Sequence, residues 1–378
     1  MYVSILLMES QVVRKKVFVG MSGGVDSSVS ATLLKKAGYD VTGVFIKVWQ
    51  PDFVVVEGCN WKDDMRDAMR ICAKLDIPFV KLDLEKEYKK EVVDYMIREY
   101  KMGRTPNPDV MCNKHVKFGA FFDWAMGRGA DYVATGHYAQ ILEKKKGKMG
   151  KFELRVSVDK EKDQTYFLYN LTQRELSKTL FPIGHLRKSE VRKLACKFGL
   201  VTAGKKDSQG LCFIGKVDMK EFLKNFIKSK KGKVLNVEGN IIGEHDGAVF
   251  YTTGERHGFI VSDKTVRGKP LYVIGKDLKK NTIMVSEKSG VANRVKNARR
   301  IVIKNVNWSD DTDPSFSKKY SARIRYRQPL SNCRLVHRAG EIEVVFVESQ
   351  EAVTVGQSLV LYEGEKCIGG GVIDSMLQ

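Results

Sequence analysis

Nowhere in its 378 residues does the chain stay apolar for the roughly 20 positions that a membrane-spanning helix requires, so neither a spanning segment nor a membrane partner is expected. The apolar patch in the opening MYVSILLMESQVVRKK is short and broken by Glu9. It has no basic region before it and no small-residue cleavage site after it, so it reads as a tail and not as a signal peptide. No C-x-x-C occurs among the seven cysteines, Cys59, Cys72, Cys112, Cys196, Cys212, Cys333 and Cys367, and their number is odd. Both facts argue against a zinc knuckle and against a disulfide framework, which a chain of this length does not need. A reducing cytoplasm fits best and leaves single thiols free for chemistry. No repeat at solenoid spacing is found. Acid is scarce as well: 45 Asp and Glu stand against 65 Lys and Arg, a formal net charge of +20. That excess favours a polyanionic partner, because each neutralised phosphate releases counterions.

What remains is a globular composition, 43% hydrophobic and 29% charged, long enough for two or three domains. The first half alternates strands and helices. Lys15 to Gly20, Val41 to Trp49, Phe79 to Leu84 and Asp131 to Tyr138 read as strands. Asp26 to Lys36, Asp63 to Leu75, Glu85 to Tyr100 and Lys114 to Ala125 read as helices. This pattern predicts an α/β domain with a parallel sheet and right-handed crossovers, its ligand at the carboxyl ends of the strands. After the helix Met219 to Ile227 the chain becomes a series of short alternating runs, among them GAVFYTT, RRIVIKNVNW and EIEVVFV. These predict a small β-rich domain followed by a barrel. The expected boundaries are 1–216, 217–294 and 295–378. Lys144 to Lys151 reads as a basic hairpin tip.

SGGVDSS, Ser22 to Ser28, lies between the first strand and the first helix. A glycine-rich turn there presents unpaired N–H groups and the positive end of a helix dipole to an anion. Gly23 and Gly24 allow close backbone approach, and Ser22, Ser27 and Ser28 add hydroxyl donors. It is not a Walker A loop, since no G-x-x-x-x-G-K-[ST] occurs near it. Further on, GRTPNPDVMCNKHVKF holds an extended loop at Pro106 and Pro108 and then places Cys112 at the start of a helix beside Lys114 and His115. A helix N-terminus and nearby cations both favour a thiolate, and Asp109 is close enough in sequence to exchange a proton. Cys212 follows a polar turn in KKDSQGLCFIG.

SGGVDSS after a first strand resembles the signature of the pyrophosphatase-loop ATPases, which adenylate an oxygen of their substrate. Taken with GRTPNPD and CNK, ATGHY (Ala134 to Tyr138), KDQTYFL (Lys162 to Leu168), DSQGLCFIG, GEHDGAVFYTTGERHG (Gly243 to Gly258), RYRQ (Arg325 to Gln328) and GGG (Gly369 to Gly371), it is similar to the tRNA-specific 2-thiouridylases over everything after Lys15. The resemblance implies an adenine-nucleotide α-hydrolase-like catalytic domain, a central β-rich domain and a C-terminal tRNA-binding barrel. ATP, with Mg2+, would adenylate the C2 oxygen of a wobble uridine in tRNA.

By the same resemblance Gly20, Met21, Ser22, Gly23, Gly24, Val25, Asp26 and Ser27 would hold ATP, with Ile46 and Gly136 flanking it. Cys212 would carry a persulfide from a cysteine desulfurase or relay protein. Cys112 would free its sulfur, as hydrosulfide or by closing a transient disulfide with Cys212. Asn107, Pro108 and Asp109 would meet the flipped-out base, with Asp109 as acid or base. His137, Lys162, Asp163, Gln164, Arg325, Tyr326 and Gln357 would touch tRNA, although from the residues alone His137 also fits a core position and RYRQ an exposed strand face. Two features depart from the family: Val355 stands in AVTVGQ where a proline is usual, and the tail before Arg14 is long. Two other readings use part of the same motifs. A small-molecule adenylating ligase needs the loop but neither the paired cysteines nor a basic barrel, and a non-catalytic RNA-binding relative would have lost Cys112, Cys212, Asp109 or the loop.

Overall fold

The computed structural model describes residues 14–51, 61–144, 150–207, 218–262, 270–287, 298–338 and 340–377. The first sheet is parallel throughout. Its strands are β1 (Lys16–Gly20), β2 (Asp40–Lys47), β3 (Phe79–Asp83), β4 (Tyr132–Ala134) and, after a hairpin of β5 (Ala139–Lys144) and β6 (Lys151–Val156), β7 (Thr179–Leu180). Their order is β3-β2-β1-β4-β7. Alternation along β1 feeds two cores at once. Val17 and Val19 pack with helix α1 (Val25–Lys36), helix α2 (Trp61–Lys74) and the helix Lys188–Lys197, whereas Phe18 points to the opposite face. That second face is covered by the helical stretches 85–101 and 108–126, through Tyr88, Val92, Met96, Cys112, Val116 and Phe121. Both faces are thus buried, as an apolar β-branched strand at the centre of a parallel sheet requires. Each of these two stretches contains a π-helical segment, Lys89–Asp94 in one and Cys112–Phe121 in the other.

The middle sheet has five strands, β8 (Gly232–Leu235), β9 (Ile241–His245), β10 (Phe259–Val261), β11 (Leu271–Asp277) and β12 (Thr282–Glu287), in the order β10-β9-β8-β12-β11. The last sheet comprises β13 (Ala298–Trp308), β14 (Lys319–Arg323), β15 (Ser331–Arg338), β16 (Glu341–Gln350), β17 (Ser358–Glu363) and β18 (Lys366–Leu377). Pairing of β13 with both β16 and β18 closes these six antiparallel strands into a barrel, which removes their free edges. In β18 the glycines permit that closure: a Cβ on Gly369 would stand 2.1 Å from the carbonyl oxygen of Asn307, and one on Gly370 2.2 Å from that of Leu359. The hairpin β5–β6 does not extend the first sheet. It pairs through β6 with β18, adding two strands to the barrel wall, and Lys144 lies opposite Lys151 at the end joined by 145–149, the part of the expected basic tip that lies outside the described residues. The expected α/β, β-rich and barrel sequence is therefore what the chain forms.

Candidate active site

The nucleotide loop starts where β1 stops. Met21 donates its N–H to Val44 of β2 at 2.7 Å, which fixes the departure of the chain from the sheet. Gly23 then takes a φ of +71°, and a Cβ there would meet the carbonyl oxygen of Asp64 at 2.2 Å, so two separate constraints demand glycine. Gly24 caps α1 with no side-chain bond, leaving the helix start open toward the strand ends. Ser27 and Ser28 donate to the carbonyl of Gly24 at 3.2 and 2.8 Å, and Ser27 Oγ accepts from the N–H of Ser22 at 3.2 Å. The segment leaving β4 presses on the same helix end: a Cβ on Gly136 would lie 2.7 Å from the nitrogen of Ser27. Gly20 has ordinary room, and Ile46 is buried in the core beneath.

Around this cradle stands a ring of charge that the motifs did not announce. Lys188, at the start of its helix, reaches both carboxylate oxygens of Asp26 at 2.8 and 2.7 Å, and Tyr138 donates to the first of them at 2.8 Å. Burial and then the charge of Asp26 push the Tyr138 phenol far above its ordinary value, so it stays a donor. Asp207 binds Lys188 at 3.0 Å, Lys162 at 2.8 Å and Arg192 at 2.6 Å. Burial alone would raise its carboxyl, but the bonds from Lys162 and Lys188 outweigh it and hold the value at about 2. Lys205 bridges the loop carbonyl of Gly23 at 3.0 Å to Asp64 and Asp67, each at 2.7 Å. Lys205 and Asp207 stood inside the KKDSQG motif, whereas Lys188 carried no sequence signal at all. A polyphosphate fits this place, since open helix N–H groups and a glycine-only backbone meet there, with Lys188 on Asp26 and Lys205 on the Gly23 carbonyl, both also paired with neighbouring carboxylates. Among the described residues no group of three or more His, Cys, Asp and Glu forms a metal site.

The second loop holds Asn107, Pro108 and Asp109. Asn107 accepts from the N–H of Val110 at 3.2 Å and Pro108 occupies the first helical position, so the helix begins at Pro108 and not at Cys112 as expected. Cys112 sits one turn in, where the π segment opens, and is buried at 1% exposure. The field of the helix end, which acts over the first turn, therefore falls on Asp109 and Val110 more than on this thiol. The loop itself is gripped by the barrel. Gln357 donates to the carbonyls of Thr105 at 3.2 Å and Pro106 at 3.0 Å, and Thr105 donates its N–H to Val355 at 2.9 Å. Arg104 joins Glu99 at 2.8 Å to Asp374 at 3.1 Å. The turn at Val355 forms without its usual proline, because Gly356 takes a φ of +95°.

His137 links the two loops. Its ring is buried between Phe118 and Phe181. Lys117 Nζ lies 3.3 Å from Nε2, and since an ammonium only donates, Nε2 accepts and Nδ1 carries the proton toward Thr135 Oγ1 at 2.7 Å. Burial, then Lys117, lowers its pKa well below the ordinary value, so the ring is neutral. The short segment Thr135–Tyr138 thus touches the Cys112 helix on one side and the nucleotide loop on the other.

The remaining expected residues are spread over the molecule. Asp163 is buried, accepting from Ser157 and Thr165, and Gln164 accepts from the N–H of Tyr138 at 2.9 Å. Arg325 lies in a turn, not on a strand face, and ties Ala352 at 2.6 Å, Thr354 at 3.1 Å and Thr253 at 3.4 Å. Tyr326 stacks on Phe167 with ring centres 4.5 Å apart. Cys212 lies outside the described residues. Of the other thiols, Cys72, Cys333 and Cys367 are buried and pushed up to about 11, 12 and 12 by desolvation, which marks them as inert core groups.

Comparison with known proteins agrees with this layout. Residues 15–216 match the family model described as the tRNA methyl transferase HUP domain, 220–287 the tRNA methyl transferase PRC-barrel domain, and 298–373 the aminomethyltransferase beta-barrel domain. A tRNA-specific 2-thiouridylase MnmA of Streptococcus thermophilus is 45% identical over 364 residues, covering 96% of this chain and 95% of that protein. The protein of the same name from Geobacillus thermodenitrificans is 46% identical over 366 residues, with the same coverage. Among solved structures, a complex of a 4-thiouridine synthetase with RNA and bound ATP aligns over 56% of this chain and 50% of that one, at 19% identity and a TM-score of 0.33, a likeness on which nothing further rests. With such identity along almost its whole length, the chain belongs to the tRNA-specific 2-thiouridylase family.

Proposed function

We propose that the protein is an ATP-dependent tRNA-uridine 2-sulfurtransferase that replaces the C2 oxygen of a wobble uridine with sulfur drawn from a cysteine persulfide. The observation that carries this reading is the 45% identity over 96% of the chain to relatives named for that reaction. The matching family models bear methyltransferase names, but an open phosphate cradle serves adenylation of an oxygen, which methyl transfer does not need. ATP, with Mg2+, would supply a leaving group for the C2 oxygen. Ser22 to Ser27 and the cations Lys188 and Lys205 would bind and orient its phosphates, and Asp26 would share the metal. Asn107, Pro108 and Asp109 would face the base, held in place by Gln357 from the barrel, with Asp109 exchanging the proton. Cys212 would bring the persulfide, delivered by a desulfurase or relay protein; the Cys112 thiolate would attack its inner sulfur, forming a Cys112–Cys212 disulfide and freeing hydrosulfide to displace AMP from C2, with an external thiol reducing the disulfide afterwards. The three segments 1–216, 217–294 and 295–378 would act as catalytic, central and tRNA-binding domains.

The test is direct. Purified protein with ATP, magnesium, tRNA and a desulfurase system is expected to yield 2-thiouridine by mass spectrometry of tRNA nucleosides, and Cys112→Ser and Cys212→Ser are each expected to abolish it. Undiminished thiolation in either variant would sink the two-cysteine mechanism. Unretarded tRNA on an aryl-mercury urea gel would count against thiolation altogether.

A further inference from the structure

The motif GEHDGAVFYTTGERHG, Gly243 to Gly258, holds no cysteine and none of the groups assigned to nucleotide, base or sulfur, yet it meets the loop that carries Asn107. It begins in β9 and returns as a tight turn toward β10. The middle sheet fixes that turn. Gly254, at a φ of +91°, donates its N–H to the carbonyl of Val273 at 2.7 Å, and Val273 donates back to the carbonyl of Glu255 at 2.9 Å. The Glu255 carboxylate accepts from the N–H of Thr252 at 2.9 Å, and Lys276 donates to the carbonyl of the buried Tyr251 at 2.6 Å. A side chain carried on this turn is therefore firmly placed.

Thr252 reaches from it into the first domain. Its Oγ1 lies 3.1 Å from Thr105 Oγ1, across 147 positions, and the hydroxyl of Tyr100 bonds to the same Thr252 side chain. Burial, then Glu255, pushes the Tyr100 phenol up to about 12, so it keeps its proton. Beside this pair Leu278, just beyond β11, packs on Gly103. A Cβ on Gly103 would stand 2.6 Å from Leu278 Cδ1, and its φ is +73°. Thr253 offers its carbonyl to Arg325, which also ties Ala352 and Thr354 of the barrel. Middle sheet and barrel thus both hold residues 103–106. The barrel grips the backbone of Thr105, whose N–H goes to Val355 at 2.9 Å and whose carbonyl accepts from Gln357 at 3.2 Å. The middle sheet grips its side chain. Thr105 stands two residues before Asn107, the cap on which the helix at Pro108 begins.

A threonine bonded at N–H, carbonyl and hydroxyl has its backbone and its χ1 fixed together. We propose that Thr252 is a positioning residue for the reaction, and that the central domain acts by holding Thr105 so that Asn107, Pro108 and Asp109 keep their aim on the target base. The inference rests on the reading in which those residues face the base. It gives the central domain a part in turnover and not in RNA binding. Misplacing a reacting group by about 1 Å costs about 100-fold in rate, and losing one neutral hydrogen bond corresponds to about two- to ten-fold.

The experiment measures the single-turnover rate of 2-thiouridine formation at saturating ATP and tRNA, beside tRNA affinity and the urea unfolding midpoint. It compares the unaltered full chain with Thr252→Val, Thr252→Ser, Thr105→Val and the double variant Thr105→Val with Thr252→Val. Valine keeps the shape of threonine and puts a methyl group in place of the hydroxyl. Thr252→Val is expected to slow thiolation about five-fold at unchanged tRNA affinity, and Thr252→Ser to keep at least half of the unaltered rate. The double variant is expected to be no slower than the slower single one, since the two hydroxyls act as a pair. Thr105→Val carries the same expectation from the other side of the pair if Thr252→Val fails to fold. Unchanged rates in folded variants would overturn the proposal, and so would a lower unfolding midpoint at an unchanged rate, the mark of a merely structural contact. A serine variant as slow as the valine one, or losses that simply multiply in the double variant, would also count against it. Weaker tRNA binding at a normal rate would make Thr252 an RNA contact instead. Absence of 2-thiouridine from the unaltered protein would sink the thiolation reading itself.

Discussion

Residues 22–28 and residues 104–109 are both short loops that open a helix, yet their shapes have different sources. The nucleotide loop takes much of its shape from within itself, through the φ of Gly23 and the serines bonding back to Gly24, while Asp64, Gly136 and Lys205 press on it from further along the chain. The loop at 104–109 is held from the other end of the chain, by Gln357 across 252 positions and by Asp374 across 270. A local loop can be recognised from a short motif, whereas a braced one shows only the half of itself that lies in the motif. A local loop should also fail by losing its ligand, and a braced one by losing its aim.

The sharpest way to break this contrast is Gly23→Ala. With a strained φ and no room for a Cβ, ATP-dependent thiolation is expected to fall at least about 100-fold while tRNA affinity stays, checked by nucleoside mass spectrometry beside a tRNA binding curve. Gln357→Ala comes next. Two bonds to the loop carbonyls are lost, and turnover is expected to drop about ten-fold at unchanged tRNA affinity. Weakened binding at normal turnover would make Gln357 an RNA contact after all. Arg325→Ala removes a guanidinium shared by three carbonyl or hydroxyl oxygens in two domains, and denaturant unfolding is expected to show a loss of about 2–3 kcal/mol. The mildest change is Asp207→Asn. The carboxyl of Asp207 is held at about 2, below its ordinary 3.8, so it stabilises the folded state above pH about 4, and this contribution is lost as pH falls toward 2. The variant is expected to lose stability at neutral pH, with its deficit against the unaltered protein shrinking as pH falls from about 4 toward 2, which flattens the acid limb of a stability–pH curve in that window.

The same contrast explains what the sequence made legible. The parallel sheet, the β-rich middle and the barrel followed from period and order, since each depends on residues close in the chain. SGGVDSS was readable because the φ of Gly23 and the serine bonds to Gly24 lie within the motif itself. Lys188 was not, because nothing near it in sequence reveals that it meets Asp26 across 162 positions. Asn107 and Pro108 have the residue types of a helix cap and a first helical position, and the helix starts there, a turn before Cys112. Asp163, Gln164, Arg325 and Gln357 match positions that touch tRNA in the family; their bonds to the protein's own backbone and side chains are a further property that composition and spacing do not carry.

The hairpin β5–β6, taken from the first half of the chain and sewn onto β18, has a consequence for how the protein comes into being. Leu154 waits for Cys367, and Arg155 for Lys366. While the ribosome is still making the middle sheet, this hairpin and the loop that awaits Gln357 have no partner, so the catalytic half cannot complete its fold during synthesis. Pairings of such separation form slowly and expose strand edges in the interval. A ribosome that stops short of the last strand therefore releases a chain whose Ser22–Ser28 loop can form but whose loop at 104–109 lacks its brace from Gln357 and Asp374.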